Sequence, residues 1–264
     1  MHKRVYIALT VLLVVLAGVI LSVLVWQLLQ CREPVYQGKS LSSWLNNVDS
    51  TGKLSASAAE AVRQMGTEAL PTLLRMLRAK DSALKLKLID WAEGQPFVKI
   101  KHTPAEELNL RAKCAFAALG AKAQSAVPAL IEIANRQISL ESQTDAIHAL
   151  GFIGPPAKEA VPSLLRWVTN ADQQVRFGAI YALGEIHAEP GRVLPVLINA
   201  LHDRASGVQH GAIWALQYFG PDAKVAVPAL AELLNAPYDD ESRFAATNAL
   251  KAIDPEAAAK AGVR

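Results

Sequence analysis

Residues 212–230 read AIWALQYFGPDAKVAVPAL, and this stretch decides the fold because the chain repeats it. The same arrangement stands at 179–197 (AIYALGEIHAEPGRVLPVL) and at 146–164 (AIHALGFIGPPAKEAVPSL). One landmark position, usually glycine, recurs in steps of 33 or 34 residues at Gly120, Gly154, His187, Gly220 and Asp254. An earlier copy carries Gly66 and Pro71. Such a period is typical of proteins built from stacked copies of one unit.

Each unit reads as two helices. Ala146, Ile147, Leu150 and Ile153 form an apolar stripe at steps of three and four, which predicts an α-helix buried on one side. Glycine at the landmark commonly ends a helix, and the proline after Ala-Val suits the first turn of a second helix. A pair of helices this short cannot bury both of its faces alone. Stacked copies can, so the sequence predicts an all-α fold, an α-solenoid.

The repeated motif is A-x-x-A-L-G-x-x-G-P-x-A-x-x-A-V-P-x-L-x-x-L, which occurs at 146–168 and 212–234 and more loosely at 115–134 and 179–201. It resembles the HEAT repeat, specifically the short bacterial kind also found in phycobilin lyase subunits. The resemblance covers roughly residues 55–260. It implies a solenoid that serves as a scaffold or binding surface, since only a few members of this family are enzymes.

A second feature is an apolar run from Val5 to Leu29 that contains no charged residue. At about 1.5 Å per residue it is roughly 37 Å long, enough to cross a hydrocarbon core of about 30 Å. Tyr6 and Trp26 lie near its two ends, where aromatic rings favour the headgroup level. We therefore expect one N-terminal transmembrane helix before the solenoid. A cleaved signal peptide is disfavoured because the run is long and Gln30 stands where a small residue belongs.

The charges around this run predict its orientation. Lys3 and Arg4 precede it, whereas Arg32 follows it beside Glu33. The positive-inside rule then places the N-terminus in the cytoplasm and the repeat domain outside, in the periplasm. The predicted organisation is a cytoplasmic stub and anchor at 1–30, a linker with a capping helix at 31–54, and the solenoid at 55–264.

Several polar residues are predicted to cap helices. Ser40 is the expected N-cap of a short amphipathic helix in GKSLSSWLNNV that covers the open end of the first repeat. Asp172 and Asp203 are expected to cap the first helices that follow them.

The period is broken once, by an irregular insert at about 78–113. One helix is predicted inside it, with Leu84, Leu88 and Trp91 on its apolar face, followed by a proline-bounded loop at 94–104. Residues 75–113 contain nine basic and five acidic side chains, and Lys99, Lys101 and His102 cluster in the loop. This basic patch is a candidate site for an anionic partner such as lipid headgroups or an acidic protein. A solvated face on an irregular segment would look the same.

The best candidate for partner binding is the position six residues before each landmark. Its occupants vary and include three rings, whereas the neighbouring positions hold alanine and leucine for packing. Such rings are favoured at protein interfaces, although they could equally fill gaps between repeats. We name this column the ladder; it contains Cys114 and the four candidate contact residues His148, Tyr181, Trp214 and Asn248.

No sequence pattern indicates a catalytic residue, a metal site or a cofactor. His187 replaces a helix-ending glycine and His202 ends a helix, so surface or capping roles are expected for both. Outside Lys3, Arg4 and Arg32 the chain carries 24 basic and 24 acidic residues, and a neutral domain disfavours a nucleic-acid partner.

The sequence thus predicts a membrane-tethered scaffold that binds a protein partner and performs no catalysis. The alternative is a lyase-type enzyme or a chaperone-like subunit that shares these repeats. A lyase would need a tetrapyrrole pocket, and Cys114 is the one thiol beyond residue 31 and is expected to be buried.

Overall fold

The computed structural model describes Gly18 and residues 33–46, 48, 53–94, 102–235 and 240–262. Apart from Gly18, the predicted transmembrane helix lies outside these residues. Within them, the structure is a stack of helical hairpins, each with a first and a second helix. The first helices are α2 (Ala56–Met65), α5 (Ala105–Leu119), α7 (Leu140–Ile153), α9 (Gln173–Ile186), α11 (Ser206–Phe219) and α13 (Asp240–Ile253). The second helices are α3 (Leu70–Leu77), α6 (Val127–Arg136), α8 (Val161–Trp167), α10 (Pro190–Ala200), α12 (Val227–Asn235) and α14 (Pro255–Lys260).

The hairpins share one apolar core. Successive first helices from α5 to α13 contact one another, and each second helix from α3 to α12 packs against the first helix of the next hairpin. The resulting cluster of buried side chains runs without interruption from Leu41 to Ala258. The predicted repeat solenoid is confirmed in the described part of the chain.

The first helices approach closely because two positions in each of them are always alanine. These positions lie eight and five residues before the landmark, and every side chain at them is fully buried. Small side chains allow two helices to pack at the short end of the usual interaxial distance of about 8–10 Å. The twelve residues are Ala58, Ala61, Ala112, Ala115, Ala146, Ala149, Ala179, Ala182, Ala212, Ala215, Ala246 and Ala249.

The landmark residue sets the turn between the two helices. Gly154 has φ 73° and ψ −146°, a region open to glycine almost alone, and a 3₁₀ turn at Pro155–Ala160 leads into α8. Pro162 is the second residue of α8, in the predicted first turn. His187 instead adopts the ordinary left-handed conformation, φ 49° and ψ 48°, which other residues can reach. Its hairpin therefore turns differently, and α10 begins at Pro190 without a 3₁₀ turn.

The cap predictions are confirmed at Ser40 and Asp172 but wrong at Asp203. The Ser40 side chain accepts from the backbone N–H of Ser43, and the Asp172 carboxylate accepts from the first backbone N–H groups of α9. The Asp203 carboxylate accepts from the Ala205 backbone N–H at 2.9 Å, before α11 begins, and accepts two further hydrogen bonds, each 2.8 Å long, from the Arg176 guanidinium. These bonds hold the pKa of Asp203 below its ordinary value, and the pair links two successive hairpins.

The N-terminal end is not entirely helical. A two-stranded hairpin, β1 (Val35–Tyr36) and β2 (Lys39–Ser40), leads into α1 (Leu41–Leu45). An isolated bridge joins Val48 to Leu54. Helix α1 contacts α2 and buries Leu41, Trp44 and Leu45, while the Trp44 indole N–H donates to the Tyr36 carbonyl at 3.1 Å. The short strands depart from the predicted all-α structure, because Gln37 and Gly38 both take positive φ and form a tight turn.

The insert contains the expected helix, α4 (Ala83–Glu93), but regular structure resumes earlier than 113, at Ala105. The Asp81 carboxylate fixes this point by accepting from the Ala105 backbone N–H at 2.7 Å. Among the described residues, Ala105–Arg136 is long and apolar enough to cross a membrane. We assign it to the core, because Gly120, with φ 52° and ψ −133°, separates it into α5 and α6.

Replacing Gly184 by alanine should destabilise the stack. The added methyl would lie 3.0 Å from the Ala215 Cβ and 3.1 Å from its Cα, atoms that cannot rotate away. We expect the free energy of unfolding to fall by about 1–3 kcal/mol. The control is Gly191→Ala in α10, where no atom lies within 4 Å of the new methyl. This change should leave stability unchanged or raise it by up to about 1 kcal/mol. Equal responses in denaturant titrations of the purified full chain would contradict the close approach.

Candidate functional site

The ladder residues lie on the first helices, and their side chains meet across successive hairpins. The ring centroids of His148 and Tyr181 are 5.7 Å apart. Those of Tyr181 and Trp214 are 5.0 Å apart, and the two ring planes are within 5° of parallel. All three side chains are half-buried. The rings thus partly fill the space between repeats, and they also keep an outer surface.

The two ends of the ladder differ from its middle. Cys114 is buried in α5, as predicted for a small core residue, and Asn248 is half-buried in α13. The buried position of the thiol gives no support to a lyase that would use it as a nucleophile. Cys114 and Asn248 share with the rings a position on the helix and no common chemistry.

Three further rings join the ladder. Phe152 lies 6.1 Å from Tyr181, Phe177 lies 6.3 Å from His148, and Tyr218 lies 4.2 Å from Trp214, measured between ring centroids. Phe177 is 37% and Tyr218 is 52% exposed. Sequence reasoning missed these residues, although they stand one helical turn before or after the ladder position. We name the combined set the aromatic surface: His148, Phe152, Phe177, Tyr181, Trp214 and Tyr218.

Glycines on neighbouring helices make room for these rings. A side chain at Gly184 would lie 3.2 Å from the Trp214 ring, and one at Gly211 would lie 3.1 Å from the Phe177 ring. Each ring therefore rests against bare backbone and is held in one orientation. Rigid rings lose little conformational freedom when a partner covers them.

Next to the aromatic surface, a groove of about 1000 Å³ crosses the N-terminal halves of α5, α7, α9 and α11. His148 and Phe177 belong to both. The groove carries four carboxylates against two cationic side chains, so its charge is negative overall. Its charged residues are Glu106, Glu107, Glu141, Asp145, Lys113 and Arg204.

Asp145 lies in the groove wall, where burial disfavours the charged form of its carboxyl group. Its burial raises the pKa of the carboxyl group, even though the Lys113 ammonium lies 2.9 Å away and opposes the shift. Nearby, the His148 Nδ1 lies 2.8 Å from the Thr144 carbonyl, which can only accept, so Nδ1 carries the proton. Burial lowers the pKa of His148 and favours the neutral ring. A carboxylate disfavoured by its surroundings is a candidate for contact with a ligand.

The predicted basic patch is only partly described. Lys99 and Lys101 lie outside the described residues. His102 is half-buried, and its Nε2 lies 3.6 Å from a carboxylate oxygen of Asp81. Asp81 also accepts from Lys85, and its hydrogen bonds lower the pKa of its carboxyl group. His102 therefore belongs to a local polar cluster at the base of the insert.

His187 and His202 occupy the capping and surface positions that the sequence predicts. The ring of His187 stacks on Phe219 at 4.4 Å, and His202 is exposed in the turn after α10. No group of three or more metal-ligating side chains occurs within the described ranges. The aromatic surface and the groove can therefore bind a partner through ring contacts and through charge.

Comparison with known proteins agrees with this architecture. The family model described as HEAT repeats matches residues 129–216 and 161–251. Residues 129–251 of the chain therefore carry HEAT repeats. No curated protein matches the sequence.

Solved structures similar to this chain are helical repeat proteins. A designed armadillo repeat protein in complex with the peptide (KR)4 is 17% identical, with a TM-score of 0.50 over 82% of this chain and 100% of the designed one. Importin beta is 17% identical, with a TM-score of 0.51 over 80% of this chain and 28% of importin. The CpcE–CpcF phycocyanin lyase of Nostoc sp. PCC7120 is 21% identical over 88% and 84% of the two chains, with a TM-score of 0.44. At these identities the similarity shows the fold alone.

Replacing Asp145 by asparagine should stabilise the chain at neutral pH. Because the folded pKa of Asp145 is raised, the folded state holds its proton more tightly, and stability falls as pH rises through the interval above the unfolded value of about 3.9. The variant avoids this loss, so its unfolding midpoint should be higher at about pH 7 and approach that of the natural chain below about pH 4. Glu159→Gln, an exposed carboxylate in the turn before α8, is the control and should change neither value. A lower midpoint for Asp145→Asn at pH 7 would show that the Lys113 pair outweighs burial.

Proposed function

We propose that this chain is a membrane-tethered scaffold that holds a protein partner along its first helices, with the aromatic surface at the centre of the contact. The observation that carries the proposal is the parallel stack of Tyr181 on Trp214, extended outward by the exposed ring of Tyr218. Tyrosine and tryptophan dominate the binding energy of many interfaces, because they combine a large apolar area with a polar tip.

The groove supports a partner with basic side chains at this place. Its four carboxylates exceed its two cations, and Asp145 gains most from a cationic neighbour because its charge is poorly solvated. The designed armadillo protein shows that a helical solenoid can hold a basic peptide. For the present chain, we expect a partner segment whose apolar residues cover the rings and whose lysines or arginines enter the groove.

A photo-crosslinking experiment tests where the partner binds. Benzoylphenylalanine replaces Tyr218 in the full chain, expressed in its own host, and the same residue replaces the exposed Glu232 of α12 as the control. We expect one defined adduct from position 218 and none from 232. Adducts at both positions, or only at 232, would contradict the proposed surface.

Alanine variants test which rings contribute. The partner identified by cross-linking is then recovered with alanine variants of the chain. Tyr181→Ala combined with Trp214→Ala should lower this recovery at least about tenfold, the effect of losing one or two central interface rings. Because both rings are half-buried, Tyr218→Ala is tested as well, since its exposed ring can be removed without opening the core. Val225→Ala, an exposed apolar residue in a turn away from the rings, is the control. Unchanged recovery with both the double variant and Tyr218→Ala would reject the aromatic surface.

We further propose that residues 5–29 anchor the scaffold with the repeats outside the cytoplasm. The uncharged apolar run and the charges of Lys3 and Arg4 support this orientation. The described chain begins at Glu33, whose carboxylate accepts from the Ser42 hydroxyl at 2.6 Å and lies 3.5 Å from Arg75. Glu33, four positions after the proposed anchor ends, is therefore held against α1 and the first hairpin.

Reporter fusions test this orientation. Alkaline phosphatase fused after Arg264 should be active, whereas a fluorescent protein that folds only in the cytoplasm should be dark at the same point. The control is a chain that lacks residues 5–29, for which the two readouts should reverse. Active phosphatase without that segment, or a bright fusion to the full chain, would contradict the proposal.

A further inference from the structure

Helix α4 turns its more apolar side away from the solenoid. Leu84, Leu88 and Trp91 follow one another at steps of four and three, so they share one face of the helix. They are exposed by 69%, 56% and 69% respectively. These are large apolar side chains, and a contiguous exposed group of them marks an interaction site.

The more buried side of α4 lies about 100° around the helix from this face. Lys85, Ile89 and Ala92 have the same spacing one residue further on, and all three are buried or half-buried. The Lys85 ammonium lies 2.6 Å from the Asp81 carboxylate, and the Ser82 side chain accepts from the backbone N–H of Lys85 as the N-cap. These contacts fix the start of α4, and Asp81 joins it to α5 by accepting from the Ala105 backbone N–H at 2.7 Å.

The composition of the outer face suits a lipid surface. Lys87 lies about 60° around the helix from Leu84, at the edge of this face, whereas Leu86 lies on the other side and is 41% exposed. Leucine and tryptophan on one side with lysine at the edge is the composition of helices that lie in the plane of the bilayer interface. The net positive charge of residues 75–113 favours anionic headgroups.

The position of α4 agrees with such a surface. Glu33 contacts Arg75 in the last turn of α3, and Glu33 stands four positions after the end of the apolar run at Leu29. An extended chain spans at most about 3.5 Å per residue, so the run ends within about 14 Å of Glu33. By the same measure α4, which starts six residues after α3 ends, begins within about 20 Å of the end of α3. Glu33 and the start of α4 therefore lie at the same end of the solenoid, near α3.

We propose that the outer face of α4, formed by Leu84, Leu88 and Trp91, lies in the headgroup region of the membrane that residues 5–29 cross. This inference rests on the proposed anchor and adds a second attachment to it. One transmembrane helix leaves the solenoid free to rotate, whereas a second contact fixes its tilt. The aromatic surface is then presented at a constant height and direction relative to the bilayer.

Fluorescence at residue 88 tests the proposal in the full chain. The variant carries Leu88→Cys with Cys31→Ser, is labelled with nitrobenzoxadiazole, and is reconstituted into phosphatidylcholine vesicles with about a quarter phosphatidylglycerol. Cys114 is buried, and the chain without Leu88→Cys measures any label it takes up. The control label is at Glu232→Cys on α12. We expect blue-shifted emission at 88 that brominated lipids quench by about half or more, and water-like emission at 232.

Three outcomes separate the possibilities. Water-like emission at both positions overturns the proposal. Blue-shifted emission at 88 without quenching by brominated lipids also overturns it, because protein, such as a second copy, then covers the face. Release of the chain from the vesicles by alkaline carbonate contradicts the proposed anchor, whatever the result at α4. Quenching at residue 88 is therefore measured only in vesicles that retain the chain.

A second variant checks that α4 binds lipid through its leucines. Leu84→Ser in the labelled chain should reduce quenching at 88 about twofold, because it removes a neighbouring apolar side chain from the same face. Its thermal unfolding should not change, since Leu84 is exposed. Lys158→Ser, at an exposed position in the turn before α8, is the matched control and should leave quenching unchanged. Equal quenching in all three chains would contradict the assignment of this face.

Discussion

The close approach of successive first helices is the constraint on which the structure depends. A hairpin of two short helices exposes apolar side chains on both sides and cannot form a closed core alone. Two alanine positions in every first helix, fully buried from Ala112 to Ala249, allow the helices to pack together and share that core. At Gly151 and Gly184 even a methyl group would press on the next helix. Small side chains inside the stack thus decide whether neighbouring repeats can join.

The same approach creates the aromatic surface. Because neighbouring first helices lie so near, equivalent positions in successive repeats fall within contact distance, and Tyr181 stacks on Trp214 at 5.0 Å. A ring that contacts the ring of the next repeat is stabilised in one orientation before any partner arrives. The structural and binding interpretations of the ladder are therefore compatible, since a half-buried ring packs with one face and presents the other.

The N-terminal end of the solenoid has a different character. Here the repeat period is broken, and polar contacts between distant segments add to the apolar packing of α1, α2 and α3. Glu33 is joined to Ser42 and Arg75, and Asp81 joins Lys85 to the start of α5. These carboxylates fix the positions of Glu33 and of the start of α4. The N-terminal end is thus held by apolar burial together with ion pairs and caps.

The sequence by itself determined the hairpins, their turns, the buried columns and the ladder, because a period of 33 or 34 residues repeats local signals that need no distant partner. Only the tertiary structure decided that Asp203 binds Arg176 instead of capping α11, and that Phe152, Phe177 and Tyr218 extend the ladder. It also decided that α4 points its leucines outward. These outcomes depend on contacts between residues that lie in different helices. A pattern read along one helix states which face is apolar, but the neighbours of that helix decide which face is buried.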